Sequence, residues 1–304
     1  MLIETIHSIS QQSFDLANIE VIVVSQTPDL EQHDLLKNNS MNLQLFIRPE
    51  SDSISALRNY GVSQATGTYI AFLDADIALS TNWSEQMISV LTEDQNRIII
   101  SGMQTCNDNA PCVEKIRTSL SNTEIDTNVE FLPGCNLFLK RSSFDVIGGF
   151  PEHLITCEDY FFTDKATEFG TLFRSSKATF LHLGEDKSYK GMFKKELWRG
   201  QSNLQSISGR NITLAELPSF IVPPAILAMF VLAVLLLAFG QTTWAIAAFL
   251  VAALPIFVYS LRLYFVAQKK IHFVHIFKFY TFYFPARAIG TVIGLFKSIG
   301  IKTY

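Results

Sequence analysis

Residues 69–76 read Tyr69-Ile70-Ala71-Phe72-Leu73-Asp74-Ala75-Asp76. Five apolar residues run directly into two carboxylates at i and i+2. A short continuous apolar run bounded by polar residues suits a strand buried on both faces. In extended backbone, next-but-one side chains share a face, so the two carboxylates can converge on one ligand. Carboxylates that close repel each other unless a cation lies between them. Hard oxygen donors suit magnesium or manganese, with substrate phosphates completing the shell. The plainer alternative is that the aspartates cap the helix that follows.

Outward from this stretch, Ile19–Val24, Leu43–Ile47 and Arg97–Ser101 are further short apolar runs with polar ends. Helical candidates Ile3–Gln12, Ser53–Gln64 and Asn82–Leu91 separate them. This βαβα order predicts a doubly wound α/β domain built on a parallel sheet. Ligands of such sheets bind beyond the carboxyl ends of the strands, where Asp74 and Asp76 fall.

The block from Ser55-Ala56-Leu57-Arg58-Asn59-Tyr60-Gly61-Val62 through Ala65-Thr66-Gly67 to Asp76 resembles the central signature of family-2 inverting glycosyltransferases, which have the GT-A fold. Pro133-Gly134-Cys135-Asn136-Leu137-Phe138-Leu139-Lys140-Arg141, with Val146-Ile147-Gly148-Gly149-Phe150-Pro151, is similar to the family's acceptor-side strand and its GGF turn. Cys157-Glu158-Asp159-Tyr160 matches its ED motif. Three blocks in the expected order, spread over roughly residues 1–205, are more specific than any one of them.

The resemblance implies roles position by position. Asp76 would bind a divalent ion, manganese or magnesium, that bridges the diphosphate of a nucleotide-sugar donor. Asp74 would contact the ribose or help hold that ion, and His182 would lie near it. Arg58 and Asn59 would stand near the nucleotide, with Arg199 in a loop over the donor phosphates. Lys194, Lys195 and Trp198 share that stretch, where cations could equally serve anionic headgroups. Asp159 would act as general base toward the acceptor hydroxyl, with Glu158 shaping the site beside it. Gly134, Cys135 and Asn136 would form the acceptor side. Plainer readings stand beside these: Arg58 paired with a nearby carboxylate, a structural His182, and Glu158-Asp159 as an ordinary helix start.

In the family, a first strand ending in a P-T-Y-N-like turn precedes the helix that Leu2–Gln12 resembles. Here the sequence opens inside that helix, and we expect a start upstream of Met1, with partial loss of the donor site as the alternative. The next strand normally ends in an acidic pair that touches the base. Here Val24 runs into Ser25-Gln26-Thr27, with no carboxylate before Asp29.

All 28 acidic residues precede Leu217, whereas seven of the 24 basic ones follow it. The net charge of −4 thus averages an acidic globular part and a basic, apolar tail. Ser219–Phe239 and Thr243–Val266 are each long enough to cross roughly 30 Å of hydrocarbon as a helix. Gly240-Gln241-Thr242 breaks them into a hairpin. Lys194, Lys195, Arg199 and Arg210 before it and Arg262, Lys269 and Lys270 after it place both ends in the cytoplasm. Ile271–Ile301 mixes aromatic residues with Lys278, Arg287 and Lys297, a pattern suited to a helix lying among membrane lipid headgroups. A third span is the alternative. The expected organisation is therefore residues 1–205 as a GT-A domain, 206–270 as two transmembrane helices with flanks, and 271–304 as an interfacial amphipathic helix or third membrane segment.

The four cysteines fit no zinc spacing and are expected to be reduced. No leader peptide is evident, and no feature points to nucleic acid. The function expected is metal-dependent, inverting transfer of a hexose to a lipid-linked or glycan acceptor in polysaccharide or glycolipid synthesis. Leu197-Trp198-Arg199-Gly200-Gln201 lacks the Q-x-x-R-W pattern of the family's polymerases, which favours single transfer. An inactive membrane scaffold that keeps the fold is the competing expectation. A transporter fits poorly, because two spans are few for a transport pathway.

Overall fold

The computed structural model describes residues 1–28, 30, 41–154, 156–201 and 217–298. Asp29, Arg210, Lys302 and the end of the last predicted segment lie outside the described residues. The chain divides into two compact units. The first comprises residues 1–106 and 124–184, and the second comprises 107–123 and 185–304. Residues 107–123 and 185–201, expected in the catalytic domain, thus group with the C-terminal helices.

The first unit opens with α1 (Leu2–Ser10), β1 (Glu20–Ser25), β2 (Asn42–Ile47) and α2 (Ile54–Gln64). The β3 strand (Tyr69–Leu73), β4 (Ile77–Leu79), α3 (Trp83–Glu93) and β5 (Arg97–Thr105) follow. Strands β1 and β2 form a parallel pair. Ser53 caps α2 by accepting the Ala56 N–H over 3.2 Å, which fixes where the Arg58-bearing helix starts. After residue 123 come β6 (Thr127–Val129), β7 (Asn136–Lys140), α5 (Arg141–Ile147), α6 (Glu158–Ala166) and β8 (Thr171–His182).

The larger sheet has the order β3-β7-β5-β8-β4, with β6 on β8. It is mixed rather than parallel: β5 and β8 run parallel, while β7 runs antiparallel to both β3 and β5. The sequence signal reported burial on both faces, and helices on both faces produce that burial whichever way a strand runs. Leu137, Phe138 and Leu139 of β7 are all buried. On one face Val62, Phe144, Ile147, Phe150 and Phe162 pack against Phe72, Ile99 and Leu172. On the other, Trp83, Met87, Val90 and Leu91 of α3 cover Ile100 and Phe138. The left-handed Gly148 and Gly149, at φ 88° and 78°, end α5 and turn the chain toward Phe150.

The second unit contains α4 (Cys112–Ser121), α7 (Tyr189–Gly200), α8 (Leu217–Ala238), α9 (Thr242–Val266) and α10 (Phe273–Ser298). Helices α8 and α9, of 22 and 25 residues, are long and apolar enough to cross a membrane. Their outer faces expose side chains such as Val234 and Leu254. Helix α10 turns Ile276, Phe279, Tyr280 and Phe284 inward, and Tyr259 of α9 meets Tyr280 and Phe284 ring to ring. Much of its aromatic face is therefore occupied by protein. It lies so close to α7 that a Cβ on Gly290 would overlap the Leu197 carbonyl oxygen. Glu196 of α7 binds Arg117 of α4 at 2.5 Å, Arg199 at 2.9 Å and Arg287 of α10 at 3.1 Å. Asp186 adds a 2.8 Å contact to Arg117.

Candidate active site

The first unit's site is assembled from strand ends and helix starts. Strand β3 ends on Asp74, whose N–H donates to the Cys135 carbonyl over 3.1 Å. The chain then turns through Asp76 into β4, which pairs with the end of β8 so that Ile77 faces His182. This register brings His182 Nε2 to 3.2 Å from Asp76 Oδ2. Leu183 N–H donates to the Asp76 carbonyl over 2.7 Å. The next residue, Gly184, lies against the Asp76 carboxylate so tightly that any Cβ there would overlap Oδ2.

Arg58 reaches across from α2. Nη2 donates to Asp74 Oδ1 over 3.1 Å and Nη1 to Glu158 Oε1 over 2.9 Å. The guanidinium also lies 5.0 Å from the Phe150 ring centre. Gly134 permits the approach, since a Cβ there would come within 2.9 Å of Nη2. The plainer reading of Arg58, a cation paired with nearby carboxylates, is what the geometry shows.

Glu158 and Asp159 open α6, entered through Cys157 at φ 63°. Asp159 is half-buried, and its carboxylate accepts two backbone N–H groups: Gly134 to Oδ2 at 3.0 Å and Tyr160 to Oδ1 at 2.8 Å. Burial, and then the neighbouring Asp159 charge, push Glu158 above the ordinary carboxylate range, with Arg58 opposing. The pair thus has two unlike members: Glu158 buried on Arg58, and Asp159 held by amides with a part of its surface open.

Three expected residues are placed differently. Asn59 spends its side chain on the GGF turn: Nδ2 donates to the Phe150 carbonyl and Oδ1 accepts the Phe150 N–H, both at 2.9 Å. Asn136 is fully buried in β7, with Oδ1 accepting the Gly102 N–H at 3.0 Å, so it presents nothing to an acceptor. Arg199 belongs to the second unit, where it donates to Glu196. The Cys135 thiol is pushed well up by burial and by Asp74, which makes it a poor nucleophile. None of the four cysteines is in a disulfide among the described residues.

Of the three expected metal ligands, the structure joins Asp76 to His182 and ties Asp74 to Arg58. Among the described residues no three His, Cys, Asp or Glu side chains converge. The donors nevertheless fit a divalent ion: one carboxylate, one imidazole and a cradle that a side chain at residue 184 would fill. Such an ion takes its remaining ligands from phosphate oxygens and water.

The sequence profile of glycosyl transferase family 2 matches residues 1–148. This stretch is a family-2 glycosyltransferase domain. Glycosyltransferase AglE of Haloferax volcanii is 24% identical to the chain over 171 residues, 54% of this chain and 56% of its own. An uncharacterized glycosyltransferase of Haemophilus influenzae is 24% identical over 192 residues, 60% of this chain and 74% of its own. The chain thus spans about half the length of AglE. Among solved structures, the mannosyltransferase PcManGT from Pyrobaculum calidifontis, in complex with GDP-Man and Mn2+, matches with a TM-score of 0.61 at 16% identity. That match covers 97% of this chain and 84% of PcManGT, and it shows a shared GT-A-like α/β fold. Glu158, Asp159 and His182 lie beyond the matched profile, at the positions where the domain's sheet brings them back toward Asp74 and Asp76. Sequence reading missed Gly184, whose closeness to Asp76 follows from the β4–β8 register and leaves no motif of its own.

Proposed function

We propose that the chain is a membrane-anchored, metal-dependent, inverting hexosyltransferase. It would move one sugar from a nucleotide-sugar donor to a lipid-linked or glycan acceptor at the cytoplasmic face, in polysaccharide or glycolipid synthesis. The observation that carries this reading is the division of labour among the carboxylates: Asp76 beside His182, Asp74 and Glu158 on Arg58, and Asp159 on two amides.

In this reading Asp76 and His182 would hold a magnesium or manganese ion, which would supply Lewis-acid stabilisation of the departing nucleoside diphosphate. Gly184 keeps room for the diphosphate. Asp159 accepts the proton from the acceptor hydroxyl as its oxygen bonds to the anomeric carbon and the bond to the diphosphate breaks. Attack opposite the leaving group inverts that carbon. Arg58 holds Asp74 and Glu158 in place, so that α2, β3 and α6 keep one geometry. Helices α8 and α9 would form the hairpin anchor, which would hold the domain beside a lipid-borne acceptor.

Binding of a nucleotide-sugar panel to the full chain in detergent, with manganese and then with chelator, tests the reading. Metal-dependent stabilisation by one donor is expected. No response to any nucleotide sugar would favour the scaffold reading instead.

A further inference from the structure

Arg174 is more deeply buried than the half-buried arginines Arg58, Arg117 and Arg141. Arg58 pairs with Asp74 and Glu158, Arg117 with Asp186 and Glu196, and Arg141 donates to the carbonyls of Val62, Ala65 and Gly67. Arg174, in β8, is only 8% exposed. Its Nε is enclosed without a partner. Burial pulls its proton affinity down, with Cys135 and the exposed Glu124 acting against that pull.

A buried guanidinium nitrogen without a partner is costly, and native interiors nearly always pair such groups. The strand's alternation gives Arg174 the same face as Leu172, which packs in one cluster with Phe162 of the helix that carries Asp159. Across the sheet its register partner is the small Ser101. Ser101 is followed by Gly102, whose N–H donates to Asn136, the residue after Cys135, so the register sets Arg174 one row from the Cys135 turn. The register thus puts Arg174 beside the Cys135 turn and eight positions along β8 from His182, whose Asp76 pair is expected to face the donor diphosphate.

We propose that Arg174 is the receptor for a phosphate group carried by the acceptor substrate. This rests on the transfer reading above. A guanidinium offers a planar fork of donors matched to phosphate oxygens, and a ligand of that kind would supply the partner the fold withholds.

The test compares the full chain with Arg174→Met and Arg174→Lys in detergent, using farnesyl monophosphate, farnesol and inorganic phosphate as probes. Farnesyl monophosphate should raise the melting temperature of the parent, and farnesol should not. Arg174→Met should melt no lower than the parent, because it removes a buried guanidinium nitrogen without a partner. It should bind farnesyl monophosphate about tenfold or more weakly, with manganese-dependent nucleotide-sugar binding unchanged. Arg174→Lys should fall between. Undiminished farnesyl-phosphate binding by Arg174→Met would overturn the proposal, as would a large drop in its stability. An equal response to inorganic phosphate would overturn the assignment to the acceptor. A parent that binds no nucleotide sugar would overturn the transfer reading, whereas a farnesyl-phosphate response lost in Arg174→Met would still sustain the anion site.

Discussion

The backbone N–H of Gly134 donates to Oδ2 of Asp159 over 3.0 Å, tying the turn before β7 to the first turn of α6. Tyr160 N–H holds the other carboxylate oxygen at 2.8 Å. Both contacts need an acceptor, and an ionised carboxylate offers one on each side. This arrangement fixes the direction of the Asp159 carboxylate.

Asp159→Asn is therefore more than the loss of a base. An amide has one acceptor oxygen, so its NH2 must face one of the two N–H donors, at a cost of about 1–3 kcal/mol. Transfer should slow by about 10²–10⁴-fold, while nucleotide-sugar binding stays near the parent's. Single-turnover rates and donor titrations check this. Lost donor binding in Asp159→Asn, with Glu158→Gln losing only rate, would move the base to Glu158.

Arg58→Gln leaves Glu158 buried without its cation and frees Asp74. Because the Glu158 pKa already lies above its unfolded value, the folded state holds the proton longer, so stability falls as pH rises through that interval. Without Arg58 the shift should grow. The variant should lose about 3 kcal/mol at pH 7, and clearly less near the ordinary glutamate pKa, where Glu158 is protonated. Thermal melts across that range check the slope, and a pH-independent loss would contradict the pairing.

Gly184→Ala places a Cβ where the Asp76 carboxylate lies. The carboxylate must rotate away, which disturbs its 3.2 Å approach to His182. Manganese-dependent donor binding should weaken about tenfold, on the scale of one misplaced ligand or its support, with little change in melting temperature without metal. Binding equal to the parent's would mean that the ion is held elsewhere.

The strand-end aspartates, the ED pair and the two apolar helices were legible in the sequence, because each is contiguous and its chemistry is local. The direction of β7 was not, since an apolar run reports burial and carries no sign of parallel or antiparallel pairing. Asn59 and Asn136 looked like ligand-facing polar residues because their partners, the Phe150 backbone and Gly102 N–H, lie 91 and 34 positions away. Gly184 depends on register in the same way. The ionic knot around Glu196 joins three helices, and nothing near Glu196 in the sequence announces Arg117 or Arg287.

That knot has its own pH signature. Burial alone would raise the Glu196 pKa, but Arg117, Arg199 and Arg287 together hold it below the ordinary carboxylate range. A carboxylate depressed in this way contributes stability that is present above its unfolded pKa and is lost as pH falls through the folded one. The second unit should hold its stability above about pH 4.5 and loosen below it. Glu196→Gln should remove that acid transition and cost about 3–5 kcal/mol at neutral pH, because Arg117 and Arg287 lose their shared partner. Helical circular dichroism melts of parent and variant from neutral pH downward check both statements.

The most direct test of the central claim is release of nucleoside diphosphate by the full chain in detergent, with manganese, a nucleotide-sugar panel and, as acceptor, a farnesyl-diphosphate-linked sugar whose hydroxyls are free. Release should require one particular nucleotide sugar, metal and acceptor together, with sugar recovered on the acceptor in inverted configuration, and Asp159→Asn should reduce it about 10²–10⁴-fold. Release equally fast in Asp159→Asn, or none with any donor from a chain that binds nucleotide sugar, would contradict the account.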